Sequence, residues 1–449
     1  MTGLGQTSQA GGGVRWAVVP TSEHADPARR AGRRTPHRWA RLGDRTVLWT
    51  ETADARSLLG AGTSPAGGLG LVTQVGASFQ TEHARVPVLL ERGRHLVVDL
   101  AGWADPVPAE GHDWVLVDLP ADTVVVDAPS AEAVGAAATA DADDGAQPAV
   151  RVGAGLRRAA GSLVAGLDPA RVQADLEHLV GFGSRHSLSS GFAAAADWAA
   201  QRLAGLGFAV TRPAVSVGGG TSANVVGDRT GTGAALRQVV VLTAHLDSVN
   251  LAGGPAAPAP GADDNASGSA GALELARVLA GAVHTLDLRV ILFGGEEQGL
   301  HGSQQYVAAL PAAERSRIRA VLNMDMIGSR TGPASVLLEG APLSQQLIDD
   351  LAAAAAAHTS LAVTTSLNPF ASDHVPFIRA GIPAVLTIEG NDSANDQIHT
   401  AGDSLDHVSV AFELQILAMN LAAAAGWLGL AAARPQPAGP VVSWSPGRP

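Results

Sequence analysis

An open α/β fold with a mostly parallel mixed sheet, preceded by a smaller β-rich region, is what this 449-residue chain predicts, and three observations carry that reading. Three short apolar, β-branched runs in the second half each lead into a polar residue of ligand type, two directly and one after Gly294-Gly295. Unbroken apolar runs of that length suit strands buried on both faces, as parallel strands are. The first third of the chain instead holds short β-like runs broken by Gly, Pro and Asp, the pattern of a small sheet-rich unit.

In chain order, residues 1–13 are Gly/Ser/Thr/Gln-rich and are expected to be a disordered start. Val14 to Val19, Thr46 to Thr50, His95 to Leu100, Trp114 to Val117 and Thr123 to Val126 are the expected strands of a β-rich N-terminal domain or propeptide over residues 14–128. Residues 129–165 carry Ala-Pro-Ser, Asp-Ala-Asp-Asp-Gly and Gly-Ala-Gly and read as a mobile linker, easily cut by a protease. A larger α/β domain is expected over residues 166–432. Asp168 is expected to cap a helix starting at Pro169, and Ser190 another that carries Trp198 and Leu203 and stops near Gly205. The run Gln238 to Ala244 delivers His245, Leu288 to Phe293 leads into Gly294-Gly295-Glu296-Glu297, and Ala320 to Met324 delivers Asp325. Open α/β sheets bind ligands beyond the carboxyl ends of their strands, where these residues would stand. Leu414 to Ala433 is apolar and nearly long enough to span a bilayer, but it contains Gln415 and Asn420, so a packed helix and no stable membrane span are expected. Residues 433–449 form a Pro-rich tail.

Composition narrows the chemistry. There is no cysteine, which excludes disulfides and a thiol nucleophile. All 30 basic residues are arginine, and the net charge of -12 argues against nucleic acid as partner. Met1 to Val14 lacks an apolar core, so no secretory signal is expected within the chain as it stands. Oligomeric state is not encoded in any of these features.

The ordered set His245, Asp247, Asp264, Glu296, Glu297, Asp325 and His399 is the inventory of a two-zinc hydrolytic site. Two Zn²⁺ ions are nearly neutralised by three ligand carboxylates and a bridging hydroxide, a balance that favours hydroxide at neutral pH. Glu296 is surplus as a ligand and adjacent to Glu297, which suits a general base that later protonates the leaving amine. Asp247, two residues after His245, suits a carboxylate that orients the imidazole.

Five segments carry a resemblance. They are Ala244-His245-Leu246-Asp247-Ser248, Gly261-Ala262-Asp263-Asp264-Asn265-Ala266-Ser267-Gly268, Gly295-Glu296-Glu297-Gln298-Gly299-Leu300-His301-Gly302-Ser303, Asn323-Met324-Asp325-Met326-Ile327-Gly328 and Ile398-His399-Thr400. In this order they resemble the co-catalytic dizinc aminopeptidases typified by bacterial secreted leucyl aminopeptidases, with glutamate carboxypeptidases and glutaminyl cyclases as wider relatives. The resemblance covers roughly residues 166 to 432. It implies a three-layer α/β/α zinc-exopeptidase fold of the phosphorylase/hydrolase-like kind and two zinc ions. It also implies that Asp264 bridges both metals, that His245 and Asp325 complete one, and that Glu297 and His399 complete the other. Asp264 is preferred over its neighbour Asp263 on this ground alone. A cis peptide after Asp264 and export to the cell envelope or medium are implied as well; so is a shielding or folding role for the N-terminal region, with a permanent accessory domain as the alternative. Some relatives have a tyrosine just before the last histidine. Here that place is Ile398, leaving oxyanion stabilisation to metal and backbone.

Met326, Phe370, Phe377 and Ile398 are the candidates for an apolar pocket that receives the first side chain of a peptide, with core packing as the competing reading of each. Ser372-Asp373-His374 reads either as a cleft-lining loop or as a capping turn, and Asp403 as a residue ordering the His399 loop. His186, His284, His301, His358 and His407 are assigned surface or structural roles. The function expected is an aminopeptidase acting on peptides with an uncharged, apolar first residue. A dizinc carboxypeptidase or amide deacylase is the alternative and would need a basic clamp, for which Arg330 and Arg379 are candidates; the Asp-x-Lys-Gly-Gly of related deacylases is replaced here by Asp264-Asn265-Ala266-Ser267-Gly268. A non-catalytic binding ectodomain would lose ligands that this chain keeps.

Overall fold

The structure, a computed structural model, describes residues 160–367 and 369–430, and before them nine strand segments between Val14 and Val126 with a few residues beside them. The expected disordered start, residues 129–159 of the expected linker and the Pro-rich tail lie outside the described residues. Residues 160–164 are helical, so the expected linker gives way to regular structure sooner than residue 165.

The N-terminal strands are β1 (Val14–Pro20), β2 (Arg38–Leu42), β3 (Arg45–Thr50), β4 (Ser64–Ala66), β5 (Leu69–Gln74), β6 (Val88–Arg92), β7 (His95–Asp99), β8 (Trp114–Asp118) and β9 (Val125–Val126). They form a five-stranded sheet in the order β4-β1-β3-β2-β9 and a four-stranded sheet in the order β6-β7-β5-β8. Alternate residues Val72, Leu96 and Val98 meet Phe79 in a small core, as period-2 strands require.

The larger part is built on strands β10 (Ala209–Thr211), β11 (Ala214–Val217), β12 (Gly220–Ala223), β13 (Val225–Arg229), β14 (Val239–His245), β15 (Asp287–Phe293), β16 (Ile318–Met324), β17 (Ser335–Glu339), β18 (Ala362–Ser366) and β19 (Ala384–Glu389). Eight of them make a mixed sheet in the order β10-β13-β15-β14-β16-β19-β17-β18, with β11 and β12 as a separate hairpin. The centre is parallel: β14 pairs in parallel with β15 and β16, and β16 with β19. Helices are α1 (Pro169–Val180), α2 (Ser190–Gly205), α3 (Gly268–Ala280), α4 (His301–Ala309), α5 (Ala312–Arg315), α6 (Gln345–His358), α7 (His374–Arg379) and α8 (Val410–Trp427).

The predicted fold class is the one found. Every residue of β14 is buried, which explains its unbroken apolar run: neither sheet face is wet. On one face Leu242 and Val240 join Val172, Leu203, Leu275 and Trp427 from α1, α2, α3 and α8 in the main core. On the other, Val241 and Ile291 pack with Val307 of α4 and Phe377 of α7. Truncating a residue such as Leu242 to Ala in so closed a core costs about 2–5 kcal/mol.

Helix ends follow the local chemistry. Asp168 caps α1 as expected, its Oδ1 accepting the Ala170 N–H at 3.0 Å. The second cap is one residue earlier than expected: Ser189 Oγ accepts the Phe192 N–H at 3.0 Å, and Ser190 is the first helical residue. The apolar C-terminal segment is α8, long and apolar enough to cross a membrane by composition, yet with 72% of that window buried inside the fold. Its Asn420 donates to Thr387 Oγ1 at 3.0 Å across to β19, a bond that a lipid-facing helix would not offer.

Candidate metal centre

The strand register brings the candidate ligands together. Because His245 lies opposite Phe293 in the parallel β14–β15 pair, Glu296 and Glu297 emerge beside it a few residues later. Asp325 follows the adjacent β16. Asp264 comes from the turn Ala262–Ser267 that leads into α3, and His399 from the loop after β19. The peptide bond between Asp264 and Asn265 is cis, as the resemblance implied.

Asp264 stands at the centre. Its Oδ1 lies 3.1 Å from His245 Nε2 and its Oδ2 lies 3.0 Å from His399 Nε2. Each histidine has one further acid: Asp325 Oδ1 is 3.2 Å from His245 Nε2, and Glu297 Oε2 is 2.9 Å from His399 Nε2. Glu296 is half-buried beside the first group, with a carboxylate oxygen within 4.8 Å of donor atoms of His245 and Asp325. Asp263 points elsewhere: its Oδ1 accepts the Gly328 and Ser329 N–H groups, and its Oδ2 accepts from Asn395. Geometry thus separates two adjacent acids that the sequence could not.

Supporting contacts fix these side chains. His245 Nδ1 meets the main-chain oxygen of Asp247 at 3.1 Å and lies 3.7 Å from its Oδ1, so Asp247 faces the imidazole with both its carbonyl and its carboxylate. That carboxylate accepts Ser187 Oγ at 2.9 Å and the N–H groups of Glu296 and Glu297, holding the loop that carries both glutamates. Asp403 reaches a second segment as well: its oxygens accept the N–H groups of Asp263 and Asp264, each at 2.9 Å, so it ties the stretch after His399 to the Asp264 turn. Ser372 donates to Asp325 Oδ2 at 2.6 Å, which ties the Ser372-Asp373-His374 segment to the site; Asp373 also stands at the start of α7. His399 and Met326 adopt left-handed φ values of 56° and 51° without being glycine, conformations that cost about 1–3 kcal/mol each and cluster at functional sites.

Electrostatics reflect this crowding of acids and imidazoles. Burial pushes the Glu297 carboxyl up to about 8, His399 opposing, and burial with neighbouring Asp325, Asp373 and Glu297 lifts Glu296 well above the usual carboxylate range against the pull of His245. Burial lifts Asp373 to about 7. Burial also acts against ionised Asp264, but its bonds to His245 and His399 outweigh that and hold its pKa low. His245 is pushed down by burial and up by Glu296 and Asp325, ending well above the ordinary histidine value. The raised values reflect acids crowded together, and a bound cation would lower the raised carboxyls and His245.

The residues fit zinc. Ligand atoms on a tetrahedral zinc with bonds of about 2.0–2.1 Å stand roughly 3.3 Å apart, close to the separations found here. Glu297 Oε1 is buried without a hydrogen-bond partner, an oxygen whose desolvation a metal would offset.

The proposed pocket residues divide. Met326 and Ile398 share a cluster with Leu337, Leu386 and Ile388, against which half-buried Phe370 packs. Met326 has no exposed surface, so it backs this cluster and does not line an open pocket. Phe377 is set apart in the core, its ring 6.3 Å from Phe293 and 6.0 Å from Tyr306, because α7 turns that side chain towards the sheet. Arg330 and Arg379 are exposed. The residue missed altogether is Arg185, which lies fully buried in the loop between α1 and α2; a lone arginine in a Gly-Ser-Arg-His-Ser stretch carries no motif signal.

An α/β/α sandwich that gathers two histidines and several acids beyond the carboxyl ends of its central strands defines a metallohydrolase scaffold. The sequence pattern of Peptidase family M28 matches residues 224–424. Leucine aminopeptidase 1 of Metarhizium robertsii is 30% identical over 293 residues, covering 58% of this chain and 70% of that protein. The chain belongs to peptidase family M28. Aminopeptidase YwaD of Bacillus subtilis is 36% identical over 196 residues, 42% of this chain, and the match spans only 41% of YwaD's length. Among solved structures, the LapA aminopeptidase of Legionella pneumophila shares the fold with a TM-score of 0.56 and 17% identity, covering 93% of this chain and 98% of that one.

Proposed function

We propose that this protein is an aminopeptidase that works with two zinc ions and removes an uncharged, apolar residue from the N-terminus of peptides. The observation that carries the reading is the symmetry about Asp264: each of its oxygens faces a histidine, and each histidine is joined by one further carboxylate. His245 and Asp325 would hold one ion, Glu297 and His399 the other, with Asp264 shared. Zinc in such a site supplies Lewis acidity towards the scissile carbonyl and lowers the pKa of water. Glu296 then takes the proton of the attacking water and delivers it to the leaving amine, a role its place beside His245 and Asp325 supports. Asp247 and Asp403 keep the two ligand-bearing loops in place through backbone N–H bonds.

The charge pattern favours a substrate with a free, cationic α-amine. The cleft is rich in carboxylates, Arg330 and Arg379 are exposed, and the Arg185 guanidinium is occupied by carbonyl oxygens. A substrate carboxylate, as a carboxypeptidase would need to bind, finds no basic clamp among these residues. Phe370, half-buried against Ile398 and Met326, supports the apolar preference.

The test is release of the first residue from peptides with free and acetylated N-termini, on zinc-loaded and chelated protein. Turnover that needs both the free amine and the metal supports the reading; cleavage of acetylated peptides at their carboxyl end overturns it. Glu296→Ala should keep its zinc and lose about 10²–10⁴-fold in kcat. Loss of zinc in that variant would mean that Glu296 and Glu297 have exchanged roles.

A further inference from the structure

Arg185 is buried completely, yet among the described residues no carboxylate forms an ion pair with it. Its guanidinium is surrounded by main-chain carbonyls: Nε donates to Leu246 at 2.9 Å, Nη1 to Leu179 at 3.1 Å and to Pro260 at 2.6 Å, and Nη2 to Gly261 at 2.8 Å. Its own backbone is tied to Ser248, whose Oγ accepts the Arg185 N–H at 3.1 Å and whose N–H donates to the Arg185 carbonyl. A buried charge is costly unless well bonded, and an apolar side chain of similar volume would fill the same space at less cost. The fork geometry of arginine is what joins three segments at once. Those segments are the end of α1, the exit of β14 between His245 and Asp247, and the approach to the Asp264 turn. Gly261 completes the fit. It has a left-handed φ of 52°, and a Cβ there would lie 3.0 Å from Arg185 Nη2 and 2.5 Å from the Asp264 carbonyl.

Resting on the two-metal reading above, we propose that Arg185 is a positioning residue that clamps the β14 exit to the 260–264 turn, so that the donor set of His245 and Asp264 is in place before metal arrives. The nearby charges of Asp403, Asp247, Asp264 and Glu297 add attraction without touching it. The clamp therefore sets the spacing between the first histidine and the shared aspartate without itself engaging a ligand carboxylate.

The experiment uses the full chain and two variants, Arg185→Met and Arg185→Lys, with zinc affinity from competition against a chromophoric chelator and the visible spectrum of the Co²⁺-substituted protein. Positioning partners of metal ligands typically contribute 10–100-fold in affinity. Arg185→Met should lose that much and shift the Co²⁺ spectrum. Arg185→Lys, with the charge but no fork, should not restore either. Wild-type affinity and spectrum in Arg185→Met, or full rescue by Arg185→Lys, overturns the clamp. Should Arg185→Met fail to fold, hydrogen exchange on the wild type decides: residues 246–248 and 260–264 must be equally protected with and without zinc, and their opening in the chelated protein rules out a preformed site. Absence of zinc binding by the wild type would instead defeat the parent reading.

Discussion

The two ends of the central strands treat acidic side chains in opposite ways. At the amino-terminal end of β15, Asp287 takes Arg237 Nε at 2.6 Å on one oxygen and Arg317 Nη2 at 2.7 Å on the other, and also accepts the Gly231 N–H. Burial raises its pKa, but these partners outweigh burial and hold it below the ordinary value. At the carboxyl ends of the same strands, Glu297 and Asp373 sit among other acids, and burial drives them up to about 8 and about 7. The difference lies in who provides the cation. Where arginine pairs with it directly, the carboxylate is structural; where the acids meet only other acids and imidazoles, a cation from outside would complete the group on the reading proposed above.

The largest effect that can break this comparison is metal removal. Zinc at a thousand times its Kd should stabilise the fold by about 4 kcal/mol. Denaturant midpoints that coincide with and without chelator would show that the carboxyl-end acids do not await a cation.

A second test reads the sign of the pH dependence at each end, on chelated protein. Glu297 is raised from the model-peptide value of 4.5 to about 8, so the stability it permits is full below 4.5 and lost as pH rises through about 8. Glu297→Gln should flatten that decline. Asp287 is lowered from 3.8, so it contributes stability above that value and loses it as pH falls further. Asp287→Asn should cost about 1–3 kcal/mol at pH 7 and nothing in strong acid. Unfolding free energies across pH 3–9 check both, and slopes of one sign would erase the contrast. The smallest effect belongs far from either end: Asp168→Ala removes the α1 cap and should cost about 1 kcal/mol without changing zinc affinity.

Much of this was legible because strand and chemistry are adjacent in sequence. A buried parallel strand reads as an unbroken apolar run, so β14, β15 and β16 announced themselves together with the residues that follow them. What escaped was everything written in long-range or main-chain contacts. Asp403 lies close in sequence to His399, yet its partners Asp263 and Asp264 come 140 and 139 residues earlier. Arg185 bonds to carbonyls, which every residue possesses and no motif marks. Phe377 sits on a six-residue helix, too short for periodicity to tell core from cleft. Asp263 and Asp264 are chemically identical neighbours that only the turn geometry separates.

The Asp403 contact also sets a timetable for synthesis. A ribosome that has delivered Asp264 must translate 139 further residues before the carboxylate that fastens its N–H exists. His399 arrives only just before it. The nascent polypeptide thus carries β14 and its histidine long before His399, the last of the donor set, is made, and loops that wide close late in folding. On the two-metal reading, metal capture is thereby coupled to near-completion of the described fold.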